Sequence, residues 1–159
     1  MNGSVNNRVI NDLVLHCSAS SQKSPVSAIR KYWREVLKWK DPGYHYIVSA
    51  DGSIIQLQDI NKPANGVKGH NAHSIHICYI GGITAQGKAT DNRTEAQKDS
   101  LIIILKYLKL LFPAARILGH RDFSEDRNGN GIIDPFERIK ECPCFDAIPE
   151  YARLNSGAH

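Results

Sequence analysis

Strands and helices intermix along this chain of 159 residues in an order that predicts an α/β fold, one domain with a mixed central β-sheet and helices on its faces. Three observations lead there. The apolar runs "VINDLVLHCSA" and "SIHICYIGG" are short and rich in β-branched residues, as buried strands are. Two longer stretches carry apolar residues at helical spacing behind recognisable start signals. No internal repeat and no low-complexity linker divides the chain, whose length suits a single domain spanning residues 1–159.

The elements follow in order. After the first strand, "SPVSAIRKYWREVLKWK" reads as a helix with Ser24 as cap and Pro25 at its first position. Val26, Ile29, Trp33 and Leu37 form its apolar face, and Arg30, Lys31, Arg34 and Lys38 a solvated one. "GYHYIVSADGSIIQLQ" is expected to form two strands joined through "ADG". The polar loop "NKPANGVKGHNAH" leads into the next strand and is expected to line a site or wrap the surface. In "TEAQKDSLIIILKYLKLLF", Thr94 and Gln97 make a capping box, Leu101, Ile104, Leu105 and Leu108 share a face, and Pro113 ends the helix. "ARILGH" is a short strand, and "DAIPEYARL" a last helical turn or two.

Composition excludes several classes. The formal charge of +4 is mild, and no basic block interleaved with aromatics marks a nucleic-acid surface. No secretory leader and no membrane-spanning segment are expected, and a monomer is. The four cysteines do not suggest a disulfide framework: Cys17 and Cys78 sit in apolar runs as small buried hydrophobes, whereas Cys142 and Cys144 fall in the turn-like "ECPCF".

Between the last strand and that turn stands "DRNGNGIIDPFE", residues 126–137. Asp126, Asn128, Asn130, Ile132 (through its carbonyl), Asp134 and Glu137 match the ligand positions of an EF-hand calcium loop, with Gly131 at the sharp turn. The preceding "ARILGHRD" reads as a strand, so the helical frame of a calcium sensor is missing. The run is expected to be an accessory insertion that binds structural Ca2+; the alternative is a turn-rich insertion held by Asn-Gly and Asp-Pro chemistry. Catalytic zinc usually takes three protein ligands from His, Cys and carboxylate. With no HExxH or CxxC template present, spacing alone names no such set; His16 and His120 end strands, and Cys142 lies in a polar loop.

The segments "LVLHCSAS", "GYHYIVSADGSI", "GHNAHSIHICYIGG", "LGHRD" and "KECPCFD", in this order, resemble the zinc-dependent N-acetylmuramoyl-L-alanine amidases (amidase type 2), a family that includes phage endolysins and is related to the peptidoglycan recognition proteins. The resemblance implies a peptidoglycan-recognition-protein-like fold and hydrolysis of the amide between N-acetylmuramic acid and L-alanine in peptidoglycan. It implies Zn2+ on His16, His120 and Cys142, with Tyr44 and Lys140 as catalytic helpers and His70 and Asn71 in the substrate groove. Lys140 would stabilise the charge that grows on the carbonyl oxygen, and Tyr44 would do the same or move a proton to the leaving amine. The Lys-x-Cys-Pro match favours Cys142 over Cys144 as ligand. Two positions depart from the family pattern: Gly66 stands near a place where many relatives carry His, and His76 stands where Gly is usual. A non-catalytic peptidoglycan-binding module of the same fold is the alternative, and Cys142, which such modules commonly lack, argues against it. The expected site of action is the bacterial cell wall.

Overall fold

The structure is a computed structural model that describes residues 8–125, 127–131, 133 and 141–155. Five strands form one sheet in the order β3-β2-β4-β1-β5: β1 Asp12–Cys17, β2 Tyr46–Val48, β3 Ile54–Gln56, β4 Ser74–Tyr79 and β5 Arg116–Gly119. β1 pairs in parallel with β4 and β5, β2 in parallel with β4, and β3 alone runs antiparallel, so the sheet is mixed as expected. The β2–β3 hairpin turns through "ADG", where Gly52 takes a φ of 88° and Asp51 accepts the Ser53 N–H at 2.9 Å.

Alternation along β1 and β4 sorts the core. Leu13, Leu15, Ile75, Ile77 and Tyr79 face helix α2, Glu95–Leu111, and pack with its Leu101, Ile104, Leu105 and Leu108. The capping box forms as the sequence predicts: Gln97 N–H donates to Thr94 Oγ1 and Thr94 N–H to Gln97 Oε1, both at 3.0 Å. Gln97 is fully buried, and its amide donates to the carbonyls of Val48 (3.2 Å) and Ile80 (2.9 Å), tying the helix start to the sheet. Cys17 and Cys78 are buried, free thiols.

The first helix differs from its expected form. α1 covers Val26–Lys31 and passes into a π-helical turn at Tyr32–Val36. Its cap is Pro25, not Ser24, because the Pro25 carbonyl accepts the first helical N–H groups, from Ala28 (3.1 Å) and Ile29 (3.4 Å). Val26 and Ile29 pack on Ile47, Cys78 and Ile80, on the sheet face opposite α2.

Two short helices, α3 Ala147–Glu150 and α4 Ala152–Asn155, end the described residues beside β5. The Asn155 side chain bonds both N–H and C=O of Ile117 on this edge strand. Arg93, at the start of α2, reaches across to hold the C-terminal segment. Its guanidinium pairs with Asp91 and Glu150 and lies 3.4 Å over the Phe145 ring. Among the described residues no helix is long and apolar enough to cross a membrane.

His45, just before β2, is fully buried and fastens two elements. Its Nδ1 accepts the His76 N–H at 3.0 Å, and its Nε2–H faces the Lys62 carbonyl at 2.7 Å. Burial lowers its pKa to about 4, against 6.5 for a free imidazole. A depressed folded-state pKa means that the unfolded chain binds the proton first, so stability is complete above pH 6.5 and declines as pH falls toward 4. Urea unfolding should therefore show this imidazole contributing a loss of roughly 2 kcal/mol between pH 6.5 and 5. His45→Gln should be less stable at pH 7 yet show a flatter slope over that window; an equal slope would assign the acid sensitivity to other groups.

Candidate metal centre and groove

The carboxyl edge of the sheet gathers the side chains of the site. In the parallel register Leu15 faces Gly119, so the next residue on each side, His16 and His120, stand together with ring centroids 5.0 Å apart. His16 emerges on the face of Val14, away from α2, and is buried. Cys142 arrives from the segment 141–145. Its carbonyl accepts the Arg121 N–H at 2.9 Å, the Cys17 N–H points at its Sγ at 3.2 Å, and Tyr79 donates its hydroxyl to the Pro143 carbonyl at 2.7 Å. Gly119 makes this approach possible, since a Cβ there would lie 2.6 Å from Pro143 Cδ.

One donor atom each from His16, His120 and Cys142 lies within 4.8 Å of the other two. Cys142 Sγ is 3.7 Å from His16 Nδ1, close to the ~3.6 Å that tetrahedral zinc with ordinary Zn–N and Zn–S lengths sets between such atoms. The donor set therefore fits a zinc ion. No other such group of three occurs among the described residues. Cys144 turns elsewhere: its Sγ lies 3.4 Å from the Gly82 carbonyl oxygen and 3.8 Å from Cys17 Sγ. The Cys17 thiol pKa is pushed up to about 12, first by its contact with Cys142, opposed by Cys144 and reinforced by burial. That of Cys144 is pushed up by its contact with Cys17 and by burial, so both remain thiols at neutral pH.

These three residues floor an open groove of about 730 Å³, walled by Tyr44, Trp33, Trp39, Asn65 and Gly66. Tyr44 packs its ring 5.0 Å from His16 and 5.3 Å from Trp33, with its hydroxyl 3.5 Å from the Cys17 carbonyl oxygen. Burial raises the phenol pKa well above its usual value, so the group there is an O–H donor at any working pH. His70 and Asn71, expected in the groove, are not among the residues that line it. His70 is exposed, its ring tilted against Phe123 with centroids 4.4 Å apart. The Asn71 Oδ1 instead receives the Val67 N–H at 2.9 Å and lies 2.8 Å from His76 Nε2. The groove-ward end of that loop is Asn65 and Gly66, which no local pattern distinguished.

Lys140, Asp126, Ile132, Asp134 and Glu137 lie outside the described residues. Asn128 and Asn130 are described and exposed, with the Asn130 N–H donating to Asn128 Oδ1 at 3.2 Å. Trp39, which walls the groove, and His76, which backs His16 at 2.9 Å, were not legible as site residues. The two departures at 66 and 76 are one packing event: the His76 ring occupies the space that a side chain on Gly66 would need. Burial lowers the His76 pKa, with His45 and His120 adding to the effect, which keeps the ring neutral.

A family model described as N-acetylmuramoyl-L-alanine amidase matches residues 6–143. The endolysin of Klebsiella phage KP32 is 31% identical over 135 residues, which cover 84% of this chain and 80% of that one. Among solved structures, the Ph2119 endolysin from a Thermus scotoductus bacteriophage superposes with a TM-score of 0.70 at 22% identity, over 94% of this chain and 87% of its own. Drosophila PGRP-LB superposes with a TM-score of 0.67 at 18% identity, over 92% and 81% of the two chains. At such identities these two likenesses establish the fold, that of the amidase endolysins and peptidoglycan recognition proteins.

Gly119→Ala should weaken zinc binding by about tenfold to a hundredfold, the range for changes that displace a ligand's support. Competition against a chromophoric chelator measures this, and unchanged affinity would mean that Pro143 yields without moving Cys142.

Proposed function

The chain belongs to the N-acetylmuramoyl-L-alanine amidase family, and from that premise we propose that it is a zinc amidase that cleaves the bond between the lactyl group of N-acetylmuramic acid and L-alanine of the peptidoglycan stem. Peptidoglycan amidase activity is the family's trade; zinc dependence and the particular bond are the proposal. The observation that carries it is the convergence of His16, His120 and Cys142 at the floor of an open groove.

Each residue then has a task. His16, His120 and Cys142 would hold the metal at the floor of the groove. When bound there, zinc supplies a Lewis acid for the amide carbonyl and lowers the pKa of water toward about 7. Tyr44, a neutral hydroxyl beside His16, donates a hydrogen bond to the oxygen on which negative charge grows or passes a proton to the leaving amine. Lys140, two residues before Cys142 in the sequence, would bring a cation to that same charge. Both interactions are stronger in the transition state than with bound substrate, which is what accelerates the reaction. The rival reading, a binding module of the same fold, is disfavoured by the complete donor set.

A structural calcium ion in the 126–137 loop is a separate proposal, resting on the spacing of its oxygen-bearing residues. It would order a glycine-containing insertion between His120 and Cys142 and leave the chemistry unchanged.

Digestion of purified peptidoglycan should release stem peptides with a new N-terminal L-alanine and no new reducing sugar. Chelation should abolish that release and zinc restore it. Activity indifferent to chelation, or absent in zinc-loaded protein, would overturn the reading. Tyr44→Phe and Lys140→Ala should retain about one zinc per chain while losing on the order of a hundredfold to a thousandfold in rate. Cys142→Ser should lose zinc and Cys144→Ala should keep it; the reverse pattern would exchange the ligand assignment. For the loop, calcium added to zinc-loaded protein should raise the melting temperature, and Glu137→Gln should remove the rise; an unchanged melting temperature in both would leave only a turn-rich insertion.

A further inference from the structure

One backbone N–H dictates hydrogen positions along a buried chain of side chains that ends at the proposed metal. A backbone amide can only donate, so the Asn71 atom that faces Val67 N at 2.9 Å is an oxygen. That same oxygen lies 2.8 Å from His76 Nε2, which must then carry a hydrogen and donate it. In the neutral ring the other nitrogen, Nδ1, is an acceptor, and it lies 2.9 Å from His16 Nε2. His16 Nε2 is therefore the protonated nitrogen, and its Nδ1 is the unprotonated one, on the side of Cys142, whose Sγ is 3.7 Å away. The other end gives the same answer, because ligation through Nδ1 itself requires the hydrogen on Nε2.

Space agrees with this hydrogen-bond direction. A Cβ at Gly66 would lie 2.3 Å from His76 Nδ1 and 2.4 Å from its Cγ, so the ring rests directly on that glycine backbone. Gly66 is not in a left-handed conformation, and the ring alone explains the missing side chain. The backbone N–H of His76 is held in turn by His45 Nδ1 at 3.0 Å, which sets the strand position from which the ring projects.

We propose that Asn71 and His76 are positioning residues that preset His16 in its Nε2–H tautomer and aim Nδ1 at the metal, with Gly66 as the opening that admits the His76 ring. An imidazole thus takes the place behind His16 where a carboxylate or carbonyl usually stands. Having no negative charge, it orients the ligand without adding electron density to it as a carboxylate would. The proposal rests on His16 being a ligand, and the experiment separates the two.

Long-range ¹⁵N–¹H correlation spectra of metal-free protein should show His16 as the Nε2–H tautomer and His76 as the same; either ring in the other tautomer would overturn the proposal without reference to metal or activity. Zinc affinity by chelator competition should fall about tenfold to a hundredfold in His76→Phe, which keeps a ring over Gly66, and in Asn71→Ala, which removes the acceptor of the His76 Nε2–H. In the His76→Phe background Asn71→Ala should add little, as the two act in one chain. The d–d spectrum of the cobalt-substituted variants should shift as the His16 ring reorients, a change that mere loss of stability does not produce. Wild-type affinity in both single variants would overturn the positioning role while leaving His16 a ligand; undiminished zinc binding in His16→Ala would instead remove the ligand assignment itself.

Discussion

The parallel pairing of β1 with β5 is the constraint on which the site depends. Because Leu15 faces Gly119 in the last pair of the ladder, the two histidines that follow must emerge side by side at the carboxyl edge. A slip of one residue would turn His16 toward α2 and bring Leu15 or Cys17 to the groove. The apolar alternation of Leu13, Leu15 and Cys17 against Val14 forbids that slip, so the packing that stabilises the sheet also sets the spacing of the donors. Crevices beyond the carboxyl ends of parallel strands recur as ligand sites for this reason: neighbouring chains leave the sheet there together.

The third donor depends on a different kind of contact. Cys142 belongs to no strand, and its place is set by hydrogen bonds from Cys17, Arg121 and Tyr79 and by the close fit of Pro143 on Gly119. Farther along the same segment, Phe145 lies under the Arg93 guanidinium, which is itself tied to Asp91 and Glu150. A loop thus acquires the definition of a core element without a regular backbone. Behind the histidines, the sheet face is polar where one would expect apolar residues: His16, His76 and His45 are all buried. Such a network is tolerable only when its members are satisfied: Asn71, itself held by the Val67 N–H, is the partner of His76, and the Lys62 carbonyl that of His45.

Much of this was written locally. The capping box at Thr94 and Gln97, the apolar face of α2, the hairpin through "ADG" and the burial of Cys17 and Cys78 each follow from residues a few positions apart, and each is found. The first helix was legible as an amphipathic stretch, but its start moved to Pro25 and its second half became a π-helical turn that brings buried Trp33 to the groove wall. Helical periodicity does not distinguish those two windings over so short a span. That Asn65 and Gly66, and not His70 and Asn71, line the groove beside the metal donors was illegible for a related reason. A loop has no periodicity, so its sequence does not say which residues face inward.

What the sequence determined by itself was the alternation of elements, the mixed sheet, and the family to which five dispersed segments point, because these depend on local pattern and on order along the chain. Tertiary structure decided which donors meet. His16 and Cys142 are 126 residues apart, and they come within 3.7 Å only through strand register and a docked loop. It also decided the partnership of Gly66 and His76, which as single positions read as two unrelated departures. One ring occupies the space that the other residue leaves, and that exclusion of volume exists only once the loop has folded over the strand.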